Sequence, residues 1–292
     1  MRPIVSTKTK SIVEGNAMLN HSRRFVLALV CCLFVSATAL ADPAQDKGEP
    51  SAVLKVAVYS DFAPFSANGA GIDVDLAKAL ADKMGMRLSL LPFKAGDDLN
   101  DDLRNMVWKG HYLGYGPADV MLHVPVDKRL MTANEQVLIF APYYHDTVRL
   151  VRSAKTVPDF DGIDSLLGKK IGVDGDSISS AILLGEQNGK FREAVKIYGS
   201  AIEALEKLKA GEIDAVMANV SEIESVFKGD PEFPVEEVAF ARLPRQGWNV
   251  GMAVKKDEAD LAKQLQDATN SLFASGDMEK IFSKYGVRVV KP

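Results

Sequence analysis

The stretch ADVMLHVPVDKR (residues 118–129) begins as a core strand and ends in charge. Val120, Met121 and Leu122 form an apolar run, and His123, Asp127 and Arg129 then follow. Two readings are open: the strand surfaces, or its end opens into a site for something polar. A later stretch, IDAVMANV (residues 213–220), has the same form, with Asp second, an apolar middle and a polar residue, Asn219, near its end as His123 is in the first. Two similar units in tandem predict two lobes.

The segments around each stretch support this. LKVAVYS (54–60) and RLSLLPF (87–93) read as strands, and DVDLAKALADKMGM (73–86) spaces Val74, Leu76, Ala77 and Leu80 for a helix face, with Gly85 placed to end it. LNDDLRNMVWKG (99–110) puts Leu99, Leu103, Met106 and Val107 on one helical face. Strand–helix–strand–helix–strand is the pattern of a parallel sheet covered by helices. The pattern repeats in KKIGVDG, DSISSAILLGEQNG, AVKIYG, SAIEALEKLKAGE and IDAVMANV, with Asp176 or Ser177 as N-cap of the first of these helices. A further strand, WNVGMAVKK (248–256), and the helical segment 259–286 have no unit of their own and are expected to return to the first lobe. The chain then crosses between lobes twice, near HDTVRLVR (145–152) and near RQGWNVG (245–251), which makes a hinge and an interlobe cleft.

The expected organisation is a signal peptide over residues 1–41, a flexible leader over 42–51, lobe 1 over 52–147 plus 246–292, and lobe 2 over 148–245. Arg23 and Arg24 precede an apolar run that ends in Ala39-Leu40-Ala41, a small-residue cleavage pattern, and Met18 is an alternative start. An uncleaved anchor is the competing reading. Cleavage after Ala41 would remove both cysteines, Cys31 and Cys32, so the processed chain would have no disulfide and no thiol chemistry. It would also remove five basic residues (Arg2, Lys8, Lys10, Arg23, Arg24) and one acid (Glu14) from 35 Lys+Arg and 39 Asp+Glu, leaving a net charge of −8. An acidic chain without a basic run is a poor partner for nucleic acid or an anionic membrane.

Catalytic patterns are weak. GDSIS lacks the second glycine of a nucleophile elbow, and GHYLGYG does not follow a strand as a dinucleotide loop must. His111, His123 and His145 lack zinc-site spacing. The carboxylates Asp97, Asp98, Asp101 and Asp102 read as a solvated helix start rather than a calcium loop. No enzyme activity, metal or cofactor is expected.

The motifs in order resemble the family 3 extracellular solute-binding proteins, periplasmic receptors of polar amino-acid ABC transporters. Phe62, Pro64, Phe65, Gly71, Asp73, Asp75 and Leu76 satisfy that family's opening pattern. VDKR, FAPYY, GKKIGVDGDS and GEIDAVMAN follow at corresponding places, covering nearly all of the chain after the leader. The resemblance implies a type II-like two-lobed α/β fold and a monomeric, periplasmic receptor. It implies a small polar, carboxylate-bearing ligand delivered to an ABC permease. It places Arg129 as a clamp on the ligand carboxylate, a task suited to a bidentate guanidinium; a surface arginine paired with Asp127 or Asp146 is the plainer reading. Phe62 is implied as an aromatic cover, or else a core ring beside Phe65. Asp176 and Ser177 fall at a helix start that favours an anion; an aspartate there caps the helix itself, and Asp176 would either repel a ligand carboxylate or meet a ligand amine.

Three departures qualify the ligand. Asn219 stands where the family carries an aspartate for the ligand ammonium, His123 replaces a small hydroxyl residue, and KGHYLGYGPADV is longer than the family's turn. DVMLHVP (119–125) also resembles the binding-protein-like partners of quinoprotein alcohol dehydrogenases. The alternative function is therefore an accessory of such a periplasmic dehydrogenase, acting by protein contact.

Overall fold

The computed structural model describes residues 52–96, 98–185, 187–243 and 247–292. The expected signal peptide and leader, Asp97 and residues 244–246 of the second crossing lie outside the described residues.

The first sheet opens with β1 (Val53–Tyr59), followed by a small ribbon of β2 (Asp61–Phe62) and β3 (Ser66–Ala67). α1 (Ile72–Lys83) buries Ile72, Leu76, Ala77, Leu80 and Ala81; of the four residues marked by spacing, Val74 is only half-buried, and the chain turns at Gly85 with φ +65°. β4 (Arg87–Phe93) pairs parallel with β1. The next helix departs from expectation: α2 (Leu99–Leu103) is a short α-helix that widens into a π-helical turn over Arg104–Trp108. Leu103, Met106 and Val107 are nonetheless buried as their spacing requires. β5 (Val120–Pro125) is the opening stretch, parallel to β1, and α3 (Lys128–Ala133) and β6 (Val137–Asp146) follow.

The second sheet takes β7 (Val148–Arg152), β8 (Ile171–Asp174), α4 (Ile178–Gly185), β9 (Val195–Tyr198), α5 (Ala201–Lys209), β10 (Ala215–Asn219), α6 (Val220–Phe227) and β11 (Val235–Glu236). Its strand order is β11-β7-β10-β8-β9, with β8 parallel to both β9 and β10. β12 (Trp248–Lys255) then returns to the first sheet, whose order is β4-β1-β5-β12-β6. α7 (Ala259–Ser275) and α8 (Asp277–Lys284) break at Gly276, which adopts φ +73°, and contribute Leu265, Leu272, Met278 and Phe282 to the core under β1, β5 and β12.

A single residue, Thr147, separates the last strand position of the first sheet from the first of the second. Its carbonyl accepts the Val220 N–H at 2.8 Å. The returning crossing lies against it, because Trp248 pairs with Asp146 and a side chain on Gly247 would meet the Asp146 carbonyl oxygen at 2.0 Å. The two lobes are thus joined where backbone packs directly on backbone.

Two bulges bend the middle of the first sheet. β12 shifts register against β5 between Gly251 and Ala253, and against β6 between Val250 and Met252. His123 and Ala141 take positive φ there, +61° and +48°. An L-residue in that region costs about 1–3 kcal/mol unless its surroundings hold it, and such bulges serve to re-aim side chains.

Candidate functional site

In both sheets the candidate residues stand at the carboxyl ends of parallel strands. Phe62 follows β1 and Arg129 follows β5; Asp174 ends β8 and Asn219 ends β10. That edge is where open α/β sheets bind ligands.

A cavity of about 180 Å³ opens there, lined by Phe62 from the first lobe and by Asp174, Asp176, Ser177, Ile178, Ser179, Ala201, Met217, Ala218, Asn219 and Glu222 from the second. Four of the six residues singled out from sequence, Phe62, Asp176, Ser177 and Asn219, meet in it. Phe62 stacks on Phe65 with ring centroids 5.5 Å apart and also lines the cavity. Ser177, rather than Asp176, serves the start of α4: its Oγ accepts the Ser180 N–H at 3.2 Å and donates to the Asp174 carbonyl at 2.7 Å. The Asp176 N–H turns back to Asp174 Oδ1 at 3.0 Å, and its side chain is left exposed.

His123 does not line this cavity. Its ring packs edge-on against Phe62 at 4.6 Å and beside Phe65 at 4.2 Å, with Nδ1 directed at the buried Asp73 carboxylate. Arg129 is not in the cavity either. It lies exposed on α3, and its guanidinium makes no ion pair or hydrogen bond among the described residues. The plainer pairings are not formed: Asp127 Oδ1 caps α3 by accepting the Arg129 and Leu130 N–H groups, and Asp146 bonds Ser221.

Two acids in the site were not singled out from sequence, Asp174 and Glu222. Glu222 is 7% exposed, and its Oε2 accepts the Asn219 N–H at 2.9 Å, which is the returning half of a capping box. The N-x-x-E spacing of residues 219–222 is the signal that could have revealed it. Burial, with Asp146 and Asp174 adding like charge, pushes the Glu222 carboxyl up to about 8 against the opposing Asn219 N–H. Burial likewise raises Asp174. The cavity thus presents three carboxyl groups, and no Lys, Arg or His is among its described lining residues. Chemically it suits a small ligand that carries a positive group.

No family model matches the chain. A probable histidine-binding protein of Neisseria gonorrhoeae is 26% identical over 280 residues, spanning 91% of this chain and 96% of that protein. An L-arginine-binding protein of Pseudomonas aeruginosa is 28% identical over 270 residues, spanning 89% and 95%. An ancestral cationic amino-acid solute-binding protein superposes with a TM-score of 0.61 at 19% identity, over 80% of this chain and 95% of that one. The fold is that of the two-lobed periplasmic binding proteins. Its sequence relatives at near full length are amino-acid-binding proteins.

Proposed function

We propose that the chain is a periplasmic receptor that closes on a small amino-acid-like solute between its lobes and delivers it to an ABC permease. The observation that carries this is the cavity, to which Phe62 of one lobe and the strand ends of the other contribute. In this reading residues 52–147 plus 246–292 and residues 148–245 rotate about Thr147 and Gly247. A ligand biases that equilibrium by touching both lobes. In this proposal Phe62 covers the ligand, Ser177 and Asn219 offer hydrogen bonds, and Arg129, exposed on α3 outside the cavity, moves to meet a ligand carboxylate on closure. The relatives are binding proteins, and no catalytic step is assigned to the site.

Secretion fits the expected signal peptide and the processed net charge. No helix among the described residues is long and apolar enough to cross a membrane. The alternative of a dehydrogenase accessory draws no support from the relatives.

The test is thermal unfolding of the chain from Asp42 onward against a panel of amino acids and dicarboxylates. A ligand at about 100 times its dissociation constant adds roughly 2.7 kcal/mol and raises the midpoint by about 5–10 °C. A panel that leaves the midpoint unmoved rejects the receptor reading.

A further inference from the structure

The polar groups of the cavity are unevenly distributed. Asn219, at the end of β10, has a neutral amide, and the neighbouring hydroxyls of Ser177 and Ser179 are neutral too. Charge enters only through Asp174, Asp176 and Glu222, and of these Glu222 is the most deeply placed. It stands one helical turn beyond Asn219, and one of its oxygens is held by the Asn219 N–H. Among the described residues no hydrogen bond reaches the other oxygen, Oε1. Oε1 is not among the fully buried atoms left without a partner, so it keeps access to solvent from the cavity that Glu222 lines, and ionising a carboxyl so largely buried is costly unless a cation arrives. The charged groups that act on it give no relief: Asp146 from the end of β6 and Asp174 from the end of β8 are both acids, and only the Asn219 N–H opposes them. α5 presents Ala201 and β2 presents Phe62 to the cavity, and Arg149 on β7 is bound to Glu237.

We propose that Glu222 is the counter-charge for an ammonium or guanidinium group of the ligand, and that binding of that group drives a proton from the Glu222 carboxyl into solvent. This rests on the cavity being the ligand site. Without ligand the buried acid holds its proton through neutral pH, and its upward displacement to about 8 agrees with that. An arriving cation stabilises only the ionised form. Affinity therefore rises with pH by up to about tenfold per unit below 8 and levels off above it. In the absence of ligand the same residue closes the start of α6; a residue that did only this would leave no mark on binding.

The experiment is calorimetric titration of the chain from Asp42 onward with L-arginine as the cationic probe and succinate as the probe without a positive group. Each titration is run in phosphate and in Tris at pH 7, which differ in ionisation enthalpy. The expected result is L-arginine binding with release of about one proton, abolished in Glu222→Gln together with a loss of roughly 10–100-fold in affinity. Glutamine keeps an acceptor for the Asn219 N–H, and unfolding midpoints of the variant confirm its fold. Asn219→Asp added to Glu222→Gln restores a charge one turn away and is expected to recover part of the affinity. L-arginine binding with equal heat in both buffers, and within threefold in Glu222→Gln, overturns the proposal and leaves Glu222 as a helix cap. Succinate binding in place of L-arginine overturns it as well. If no probe in this pair or in the amino-acid panel binds the wild-type chain, the cavity reading falls, and this proposal with it.

Discussion

His123 Nδ1 lies 3.1 Å from Oδ2 of Asp73, whose other oxygen accepts the Tyr143 hydroxyl at 2.7 Å. The Tyr143 oxygen in turn accepts the His123 backbone N–H at 3.0 Å, so the three residues close a ring. The donors around that ring leave one consistent arrangement. The carboxylate only accepts, so Nδ1 is the donor to Asp73 Oδ2. This ring holds His123 at its positive φ and seats the imidazole between Phe62 and Phe65, directly behind the cavity's aromatic wall.

Asp73→Asn tests the ring. Asp73 is 1% exposed, and an amide cannot accept both hydrogen bonds, so one donor is left unpaired in the core. A loss of about 2–3 kcal/mol is expected, or roughly 5–10 °C in the unfolding midpoint. An unchanged midpoint would mean that the ring does not stabilise the fold.

Buried acids should make the ligand-free protein less stable as pH rises. Burial raises Asp102 and Asp146 and pushes Glu222 up to about 8, so the unfolded chain ionises at these groups first. Their stabilising contribution is complete below about pH 4 and is lost as pH climbs through the folded values, with Glu222 setting the upper edge. Urea unfolding between about pH 5 and 8 should show a decline on the order of several kcal/mol, and Glu222→Gln should flatten its upper part. A rise over that interval would contradict the sign.

Gly247→Ala should damage the crossing between the lobes. Its φ is +69°, and the added Cβ would stand 2.0 Å from the Asp146 carbonyl oxygen and 2.5 Å from Thr147 Cγ2. Neither strand can yield without loosening the Trp248–Asp146 pairing. A loss of at least about 2 kcal/mol is expected by chemical denaturation. Gly69→Ala, where a Cβ meets nothing within 4 Å, is the control for positive φ without a clash.

Arg129→Ala separates binding from folding. The exposed guanidinium has no partner among the described residues, so the midpoint without ligand should stay within about 2 °C. Affinity for a carboxylate-bearing ligand should fall about 10–100-fold by calorimetry if Arg129 clamps that group. Unchanged affinity would remove Arg129 from the site.

Much of the architecture is legible along the chain because its causes are local. Leu76, Ala77 and Leu80 mark the buried face of α1, and Ser200 caps α5 by accepting the Glu203 N–H at 3.1 Å. Alternating strands and helices predict parallel sheets, and the chain order of the motifs predicts the two-lobed fold. The departures are local conflicts settled by packing. The helix after residue 98 widens at Arg104, and the last helical segment breaks at Gly276; Ser177, one of the two expected caps, serves the start of α4.

The site is a different matter. Phe62, Ser177 and Asn219 are recognisable as residue types at motif positions, but Asp174 and Glu222 have no individual mark in the chain. Glu222 reads as an ordinary capping partner, and only the convergence of β8, β10 and β2 turns it into a buried acid facing a cavity. Periodicity and capping depend on neighbours a few residues apart, so they can be read in one dimension. Burial, field and the charge balance of a cleft depend on groups brought together from distant strand ends, and these exist only once the chain has folded.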